Sequence, residues 1–165
     1  MADNSFLGTG MKFPPQINPA TGRIMTSSGE RSVKESIYLI LMTRQSERLT
    51  RPEFGSRIDS YAFMNTGVTT LHMMRRELTG LILSQEPRIA EVDITIEPQT
   101  QSGRLIVNIN YMIAGTNTRD NLVFPFYLNA DSGAGSEGSS AEDDFEMFTQ
   151  MDEINEENAD DNIAR

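Results

Sequence analysis

Carboxylate side chains are the groups of this sequence that could do acid–base chemistry. Glu47, Glu53 and Asp59 are the candidates for the paired carboxylates of a glycosidase. Arginines alternate with them between positions 48 and 57, which indicates ion pairs rather than a proton-donating carboxylic acid. The chain has no cysteine and a single histidine, His72, which we expect at the surface or the edge of the core. The sequence therefore predicts no catalytic residue, no metal site and no cofactor.

The negative charge of the chain is concentrated at one end. Positions 131–165 hold 12 acidic side chains and one basic, a charge of −11, whereas positions 1–130 hold 12 acidic and 13 basic, a charge of +1. A near-neutral body without a concentrated basic surface argues against nucleic-acid binding. The longest apolar run, 37–42, has six residues, far fewer than the roughly 20 of a membrane span. The first residues lack the features of a secretory signal, so we expect folding in the cytoplasm or export by a route that the chain does not encode.

The two ends of the chain differ in composition from its middle. Residues 1–31 are rich in proline and glycine but carry interspersed apolar side chains, which predicts an extended arm lying on a surface of this chain or of a partner. Residues 130–165 combine low hydrophobicity with high charge, which predicts a largely disordered tail. Apolar residues recur there every three positions, so residues 143–155 could dock as a short helix on a neighbouring subunit; a purely solubilising tail is the alternative.

Two helices are predicted between positions 32 and 87. The first begins with the capping-box pattern Ser32 to Glu35 and ends near residues 43–46, before Pro52. The second begins around residues 68–70 and stops at Pro87. Gly80 lies inside this helix, where it would cost roughly 1 kcal/mol relative to alanine. We therefore expect Gly80 to pack closely against another backbone.

Three strands follow the second helix. Apolar and polar residues alternate over 92–96, 105–113 and 122–128, the pattern of strands with one buried face. Pro125 restricts the third strand to the edge of a sheet. The predicted fold class is α+β, with two helices packed on a small antiparallel three-stranded sheet in a domain spanning 32–129. The apolar hairpin of the last two strands would leave an edge free for a strand of another chain.

The tripeptide Glu86-Pro87-Arg88 stands between the second helix and the first strand. The fixed backbone of Pro87 would hold both charged side chains in a defined geometry. The planar guanidinium of Arg88 suits carboxylates and carbonyls. The alternative is a helix stop flanked by ordinary surface charges.

Four separated motifs resemble one protein family. Residues 6–14, 36–43, 47–56 and 86–88 occur in the order and spacing of the lysozyme-like baseplate wedge family of contractile phage tails. Its relatives include the type VI secretion subunit TssE and equivalents in phage-tail-like injection particles. The resemblance covers roughly residues 6–128, and the acidic tail departs from it. It implies a non-enzymatic structural subunit of a baseplate, which starts the polymerisation of the contractile sheath.

The resemblance also implies partners and contact residues. The sheath subunit would add strands to the carboxy-terminal hairpin, and Glu86, Pro87 and Arg88 would contact the helical core bundle of the wedge proteins. Tube and spike or hub proteins are further neighbours, and the subunit would occur in several copies in a ring. The implied hairpin residues are Leu105, Val107, Ile109, Tyr111, Ile113, Leu122, Phe124 and Phe126, and the family's motif turn contains Glu47, Arg48, Arg51, Pro52, Phe54 and Gly55.

Other interpretations remain open at this point. The same fold could carry a peptidoglycan-cleaving glycosidase or a soluble adaptor that regulates another protein. The particle could be a phage tail, a secretion system or a free injection device, with assembly in the cytoplasm.

Overall fold

The computed structural model describes residues 4–64, 67–99 and 103–128, with side chains from Phe6 onward. The tail, with the helix expected at 143–155, lies outside the described residues. Two helices and a small antiparallel three-stranded sheet confirm the predicted α+β class. No helix among the described residues has the length and apolar character needed to cross a membrane. The elements are β1 (Thr9–Met11), β2 (Thr26–Ser28), α1 (Gly29–Met42), α2 (Val68–Gln85), β3 (Ile89–Gln99), β4 (Arg104–Ile113) and β5 (Arg119–Tyr127), with 3-10 turns at Asn4–Leu7 and Ile58–Tyr61.

The core lies between the two helices and one face of the β3-β4-β5 sheet. Ile109 of β4 pairs with Ile94 of β3 and with Leu122 of β5, and all three side chains are buried. Because strand residues alternate between faces, the whole odd-numbered row of β4 turns inward with Ile109. Buried side chains of both helices complete the core: Val33, Ile37, Ile40 and Leu41 from α1, and Met74, Leu78 and Ile82 from α2.

The strand β5 is an edge strand, as Pro125 predicts. The sheet order is β3-β4-β5, with β4 in the centre. Ladder bonds from Ile113 N to Thr118 O (2.9 Å) and from Leu128 N to Gly103 O (2.8 Å) show that even-numbered residues of β5 face β4 with their backbone groups. The odd-numbered residues therefore direct N–H and C=O away from the sheet. The missing N–H of Pro125 falls in this outer row, so the ladder to β4 loses no hydrogen bond.

The helix α1 begins one turn earlier than the capping box predicts. Its N-cap is Ser28, whose side chain makes no cap hydrogen bond, and Ser32 already lies inside the helix. The Ser32 hydroxyl accepts a hydrogen bond from Arg88 Nη1 (3.3 Å), and the Glu35 carboxylate accepts from the backbone N–H of Phe13 (3.3 Å). The capping-box prediction is wrong because distant parts of the chain bind the two side chains that define the pattern.

The bounds of α2 agree with the sequence prediction, but the role expected for Gly80 does not. Gly80 is exposed, and a methyl carbon added to it would meet no atom within 4 Å. The expectation of close backbone packing is therefore wrong. Gly80 lies off the buried stripe of Met74, Leu78 and Ile82, on the face that the sheet does not cover.

The amino-terminal segment folds back on the body of the protein. The strands β1 and β2 form an antiparallel pair in which Gly10 lies opposite Ser27. Leu7 is buried at 3% exposure. The Phe13 ring lies 5.8 Å from that of Tyr38, and the Tyr38 ring lies 5.9 Å from that of Phe124 on β5. An aromatic series thus connects this segment through α1 to the sheet.

Candidate functional site

The corner formed by Glu86, Pro87 and Arg88 joins the end of α2 to the start of β3. Glu86 N donates to Ile82 O (2.9 Å), the cap bond of the helix, and Pro87 has no N–H with which to continue it. Ile89 N then donates to Glu86 O (3.2 Å), which closes a tight turn. The two charged residues that flank Pro87 are thereby brought to the same side of the chain.

Glu86 and Arg88 form a bidentate ion pair. Arg88 Nε donates to Glu86 Oε1 (2.7 Å), and Nη2 donates to Oε2 (2.6 Å). Glu86 is buried at 3% exposure, whereas the Arg88 side chain is 26% exposed. Burial alone would raise the Glu86 pKa, but hydrogen bonds from Arg88 and Ser36 outweigh it and hold the pKa below its ordinary value of 4.5. The negative charge of Glu86 is therefore balanced within this chain, by Arg88.

Arg88 also connects the corner to two other segments. Its Nη1 donates to the carbonyl of Leu7 (2.9 Å) and to the Ser32 hydroxyl (3.3 Å). Its own carbonyl accepts from Ala114 N (2.7 Å), in the turn between β4 and β5. One residue thus ties together the amino-terminal segment, α1, the end of α2 and the β4–β5 turn. Pro87 remains exposed to solvent.

The motif turn, residues 47–56, is fastened to the same end of α2. Gln85, the residue before Glu86, accepts a hydrogen bond from Gly55 N (3.0 Å) and donates to Glu53 O (3.0 Å). Gly55 has φ +98°, and a methyl carbon added there would lie 2.4 Å from Thr43 O. Only glycine therefore fits this position. The structure brings two of the sequence motifs together through Gln85.

Residues of the motif turn contact one another and the residues directly before the turn. The Arg48 guanidinium lies 4.0 Å from the centre of the Phe54 ring, and that of Arg51 lies 5.8 Å from it, so both make cation–π contacts. Glu47 accepts a hydrogen bond from the backbone of Arg44 (2.9 Å). Pro52 contributes its carbonyl, which accepts from Ser46 N (2.8 Å). These contacts stabilise the turn.

The carboxylates considered for catalysis lie in exposed positions. Asp59 pairs with Arg44 (2.5 Å), and Glu53 lies 3.8 Å from Arg51. His72 is exposed on α2. Over residues 4–64, 67–99 and 103–128, no group of three His, Cys, Asp or Glu side chains is placed to hold a metal ion. The Tyr61 hydroxyl donates to Glu77 (2.6 Å), and burial together with this bond raises the pKa of Tyr61 to about 12.

Comparison with known proteins identifies the family. The family model described as baseplate wedge protein gp25 matches residues 27–118, more than half of the chain. The chain belongs to this family. Baseplate wedge protein gp25 of Enterobacteria phage T4 is 30% identical over 90 residues, which are 54% of this chain and 68% of the phage protein. The resemblance inferred from the four motifs is thereby confirmed, and family membership supports a structural role in the baseplate of a contractile injection system.

Two solved structures have the same fold. A protein of Geobacter sulfurreducens, described as a putative tail lysozyme, is 39% identical, with a TM-score of 0.60 over 66% of this chain and 99% of that one. A chain of the anti-feeding prophage baseplate is 23% identical, with a TM-score of 0.52 over 78% of this chain and 93% of that one. At that level of identity the second likeness concerns the fold alone.

The side chains that the wedge-family resemblance assigns to the hairpin all point into the core. Their exposures range from 0% for Val107, Ile109, Ile113 and Leu122 to 7% for Phe126. They therefore shape the sheet, and the outer row of β5 consists of backbone groups at its edge, among which Asn121 N donates to Asp120 Oδ1 (2.7 Å). The residues concerned are Leu105, Val107, Ile109, Tyr111, Ile113, Leu122, Phe124 and Phe126.

Sequence reasoning missed the residues that hold the corner in place. Leu7 and Arg88 are 81 positions apart, and no local pattern connects them. In the same way, no local pattern links Ser36 to Glu86 or Gln85 to the motif turn. The sequence signal that could have identified Gln85 is its position, because a residue directly before Glu86 must lie at the same end of the helix.

Proposed function

We propose that this protein is a structural subunit of the baseplate on which the contractile sheath begins to polymerise. The observation that carries the proposal is the outer row of β5, a line of outward backbone groups at the edge of the sheet. Strand addition uses such groups for affinity and alternate side chains for register. Starting a polymer by this mechanism needs no catalytic residue.

The rigidity of β5 supports this proposal. Its inward side chains Leu122, Phe124 and Phe126 are buried, which fixes the strand against the core. Near the start of β5, Asp120 accepts a hydrogen bond from the Tyr111 hydroxyl (2.8 Å) and lies 3.6 Å from Lys34 Nζ. A strand held in this way loses little conformational entropy when a partner strand is added.

The corner is the proposed contact with the wedge proteins. It is a fixed turn with an exposed proline and a partly exposed guanidinium, both restrained before any partner arrives. Restraint of this kind lowers the entropy cost of association. In a ring of several copies, individually weak contacts would suffice because the effective concentration is high.

The strand-addition proposal is tested by removing one outward donor. Val123 lies in the outer row, so Val123→Pro deletes an N–H that β4 does not use. We expect a folded protein whose baseplates carry no sheath, as counted by negative-stain electron microscopy. Val123→Thr, which keeps the N–H, is the matched control and should give normal sheaths. Normal sheaths on Val123→Pro baseplates would contradict the proposal. Deleting the whole hairpin, residues 104–128, would test strand addition less specifically, because it also removes β4, the central strand of the sheet.

A second candidate function is peptidoglycan cleavage, because one solved relative is described as a putative tail lysozyme. The exposed, paired positions of Glu53 and Asp59 do not favour a general acid. A cell-wall release assay decides between the two functions. We expect no release by the wild type; release that is lost in Glu47→Gln or Glu53→Gln would establish an enzyme instead.

A further inference from the structure

The polar groups of the corner are turned toward this chain rather than toward a partner. Glu86 is 3% exposed, and both of its carboxylate oxygens accept from Arg88. The remaining guanidinium nitrogen, Nη1, donates to Leu7 O and to Ser32. A partner that bound Glu86, or the Nε or Nη1 of Arg88, would have to replace these bonds, and Nη2 keeps one N–H outside them. The corner therefore meets a partner through whatever surface these bonds hold in place.

The surface held by Arg88 includes an exposed aromatic side chain. Leu7 is bonded to Arg88 and is buried, while its neighbour Phe6 is 59% exposed. A methyl carbon added to Gly115 would come within 2.9 Å of the Phe6 ring, so the ring lies directly on that glycine. Ala114, next to Gly115, donates to the Arg88 carbonyl. Phe6 is thus fixed beside the corner from two sides.

The charged side chains of the segments that meet at the corner differ in exposure. The carboxylates of Glu35 and Glu86 are buried at 4% and 3% exposure, whereas Glu30 in the first turn of α1 is partly exposed. The side chains of Arg31, which precedes Ser32 in α1, and Arg88 are 54% and 26% exposed. The accessible charges of these segments are therefore two guanidinium groups and one carboxylate, a net positive charge, in the part of the molecule that carries Phe6. This part complements an apolar pocket bordered by carboxylates.

We infer that Phe6 is the side chain that anchors this protein to its wedge partner, that the partner offers an apolar pocket with an acidic rim, and that Glu86 and Arg88 are positioning residues. The inference rests on the proposed contact between the corner and the wedge. Buried aromatic anchors dominate the affinity of many interfaces, and the residues around them mainly exclude water.

The anchor is tested by incorporation into particles. In cells that assemble the particle, Phe6→Ala should lower the amount of this subunit per purified baseplate at least about tenfold, as measured by quantitative immunoblot. Because Phe6 is exposed, the melting temperature of the isolated variant should match that of the wild type. Phe63→Ala is the matched control, because Phe63 is also an exposed phenylalanine, at 85% exposure. It precedes the start of α2, whereas the corner follows the end of this 18-residue helix, which is about 27 Å long. This variant should incorporate normally.

A blocking variant separates failure of the anchor from failure of the corner contact. Pro87→Arg places a bulky side chain at the exposed position of the corner. Exclusion of Pro87→Arg together with normal incorporation of Phe6→Ala would overturn the anchor and leave the corner contact standing. Normal incorporation of both variants would overturn the anchor and the corner contact together.

The positioning role of Arg88 has its own readout. Arg88→Lys keeps a positive charge for Glu86 but cannot reach Glu86, Leu7 and Ser32 at once. In the isolated full chain, hydrogen exchange of the amides of residues 9–11 should accelerate at least about tenfold, with β4 amides unchanged. Unchanged protection of residues 9–11 would show that Arg88 does not hold the segment that carries Phe6, and would overturn the positioning role.

Discussion

At the residue scale, Gly55 and Glu86 carry constraints of different kinds. Gly55 is fixed by space and backbone angle, since its φ is +98° and Thr43 O occupies the place of a side chain. Glu86 is fixed by charge, since its buried carboxylate is held by Arg88 and Ser36. Both residues stand at the same end of α2, one in the motif turn and one in the corner. Their substitutions therefore report separately on the steric and the electrostatic support of one site.

We predict that Gly55→Ala destabilises the protein by at least about 2 kcal/mol, because it adds a steric clash to an unfavourable left-handed backbone. The matched control is Gly80→Ala, where no atom lies within 4 Å of the added carbon. That change should stabilise the protein by about 0.5–1 kcal/mol, since alanine favours a helix over glycine. Urea unfolding measures both. If both substitutions changed the free energy of unfolding equally, the close approach of Gly55 to Thr43 O would not be what makes alanine unfavourable at position 55.

The Glu86 carboxylate predicts a loss of stability in acid. Its pKa is lowered in the folded protein, so the unfolded state binds the proton more readily. The stability that it contributes is complete above about pH 4.5 and declines as the pH falls through the lower, folded pKa. Urea unfolding at pH 7 and at pH 3 measures the decline.

Glu86→Gln is the control for this pH dependence. It should cost about 1–3 kcal/mol at pH 7, because Arg88 loses a charged hydrogen-bond partner, and it should unfold with a smaller difference between the two pH values. An acid loss as large as that of the wild type would assign the dependence to other carboxylates.

At the scale of elements, the sequence predicted what depends on local pattern. The alternation of residues 105–113 predicts a strand, Pro125 predicts an edge strand and Pro87 predicts the end of α2, and the structure has all three. The start of α1 and the role of Gly80 were mispredicted. Ser32 and Glu35 bind Arg88 and Phe13 instead of capping the helix, and such bonds between distant segments leave no periodic trace. For the same reason the link between Leu7 and Arg88 could not be predicted.

The gap that Pro125 leaves in the outer row of β5 predicts how this edge avoids self-association. Edge strands with an uninterrupted row of donors pair with one another, and proline blunts them. Pro125→Val should restore the missing donor, so the average mass measured by sedimentation should rise with concentration more steeply than for the wild type. Combining it with Val123→Pro moves the gap by two residues and should suppress the rise. If Pro125→Val sediments like the wild type, another feature protects the edge.

At the scale of the whole molecule, one short turn connects the two proposed contact surfaces. Ala114, the first residue after β4, donates to Arg88 in the corner, and β5 begins at Arg119. Within the turn, Asn117 N donates to Ile113 O (3.1 Å), and Ile113 N donates to Thr118 O (2.9 Å). The corner and the outer row of β5 are therefore held by a continuous set of backbone hydrogen bonds. A subunit fixed to a wedge at the corner would present its strand edge in a defined orientation.

The uneven charge of the chain predicts how the acidic tail acts on solubility. A chain that ends at residue 130 carries 12 acidic and 13 basic side chains, so at neutral pH its copies repel one another weakly. We expect this truncated chain to precipitate at a lower polyethylene glycol concentration than the full chain at pH 7. Acid should remove the difference, because protonation removes the negative charge of the tail while the body of both chains becomes cationic.

A length-matched control separates charge from bulk. Replacing the acidic residues of positions 131–165 by their amides keeps the length of the tail and removes 12 negative charges. If charge is the cause, this variant should precipitate like the truncated chain. If it stays as soluble as the wild type, the tail acts by excluded volume. Because the body alone is near neutral, charge repulsion from the tail would add to the protection that Pro125 gives the edge of β5 against self-association.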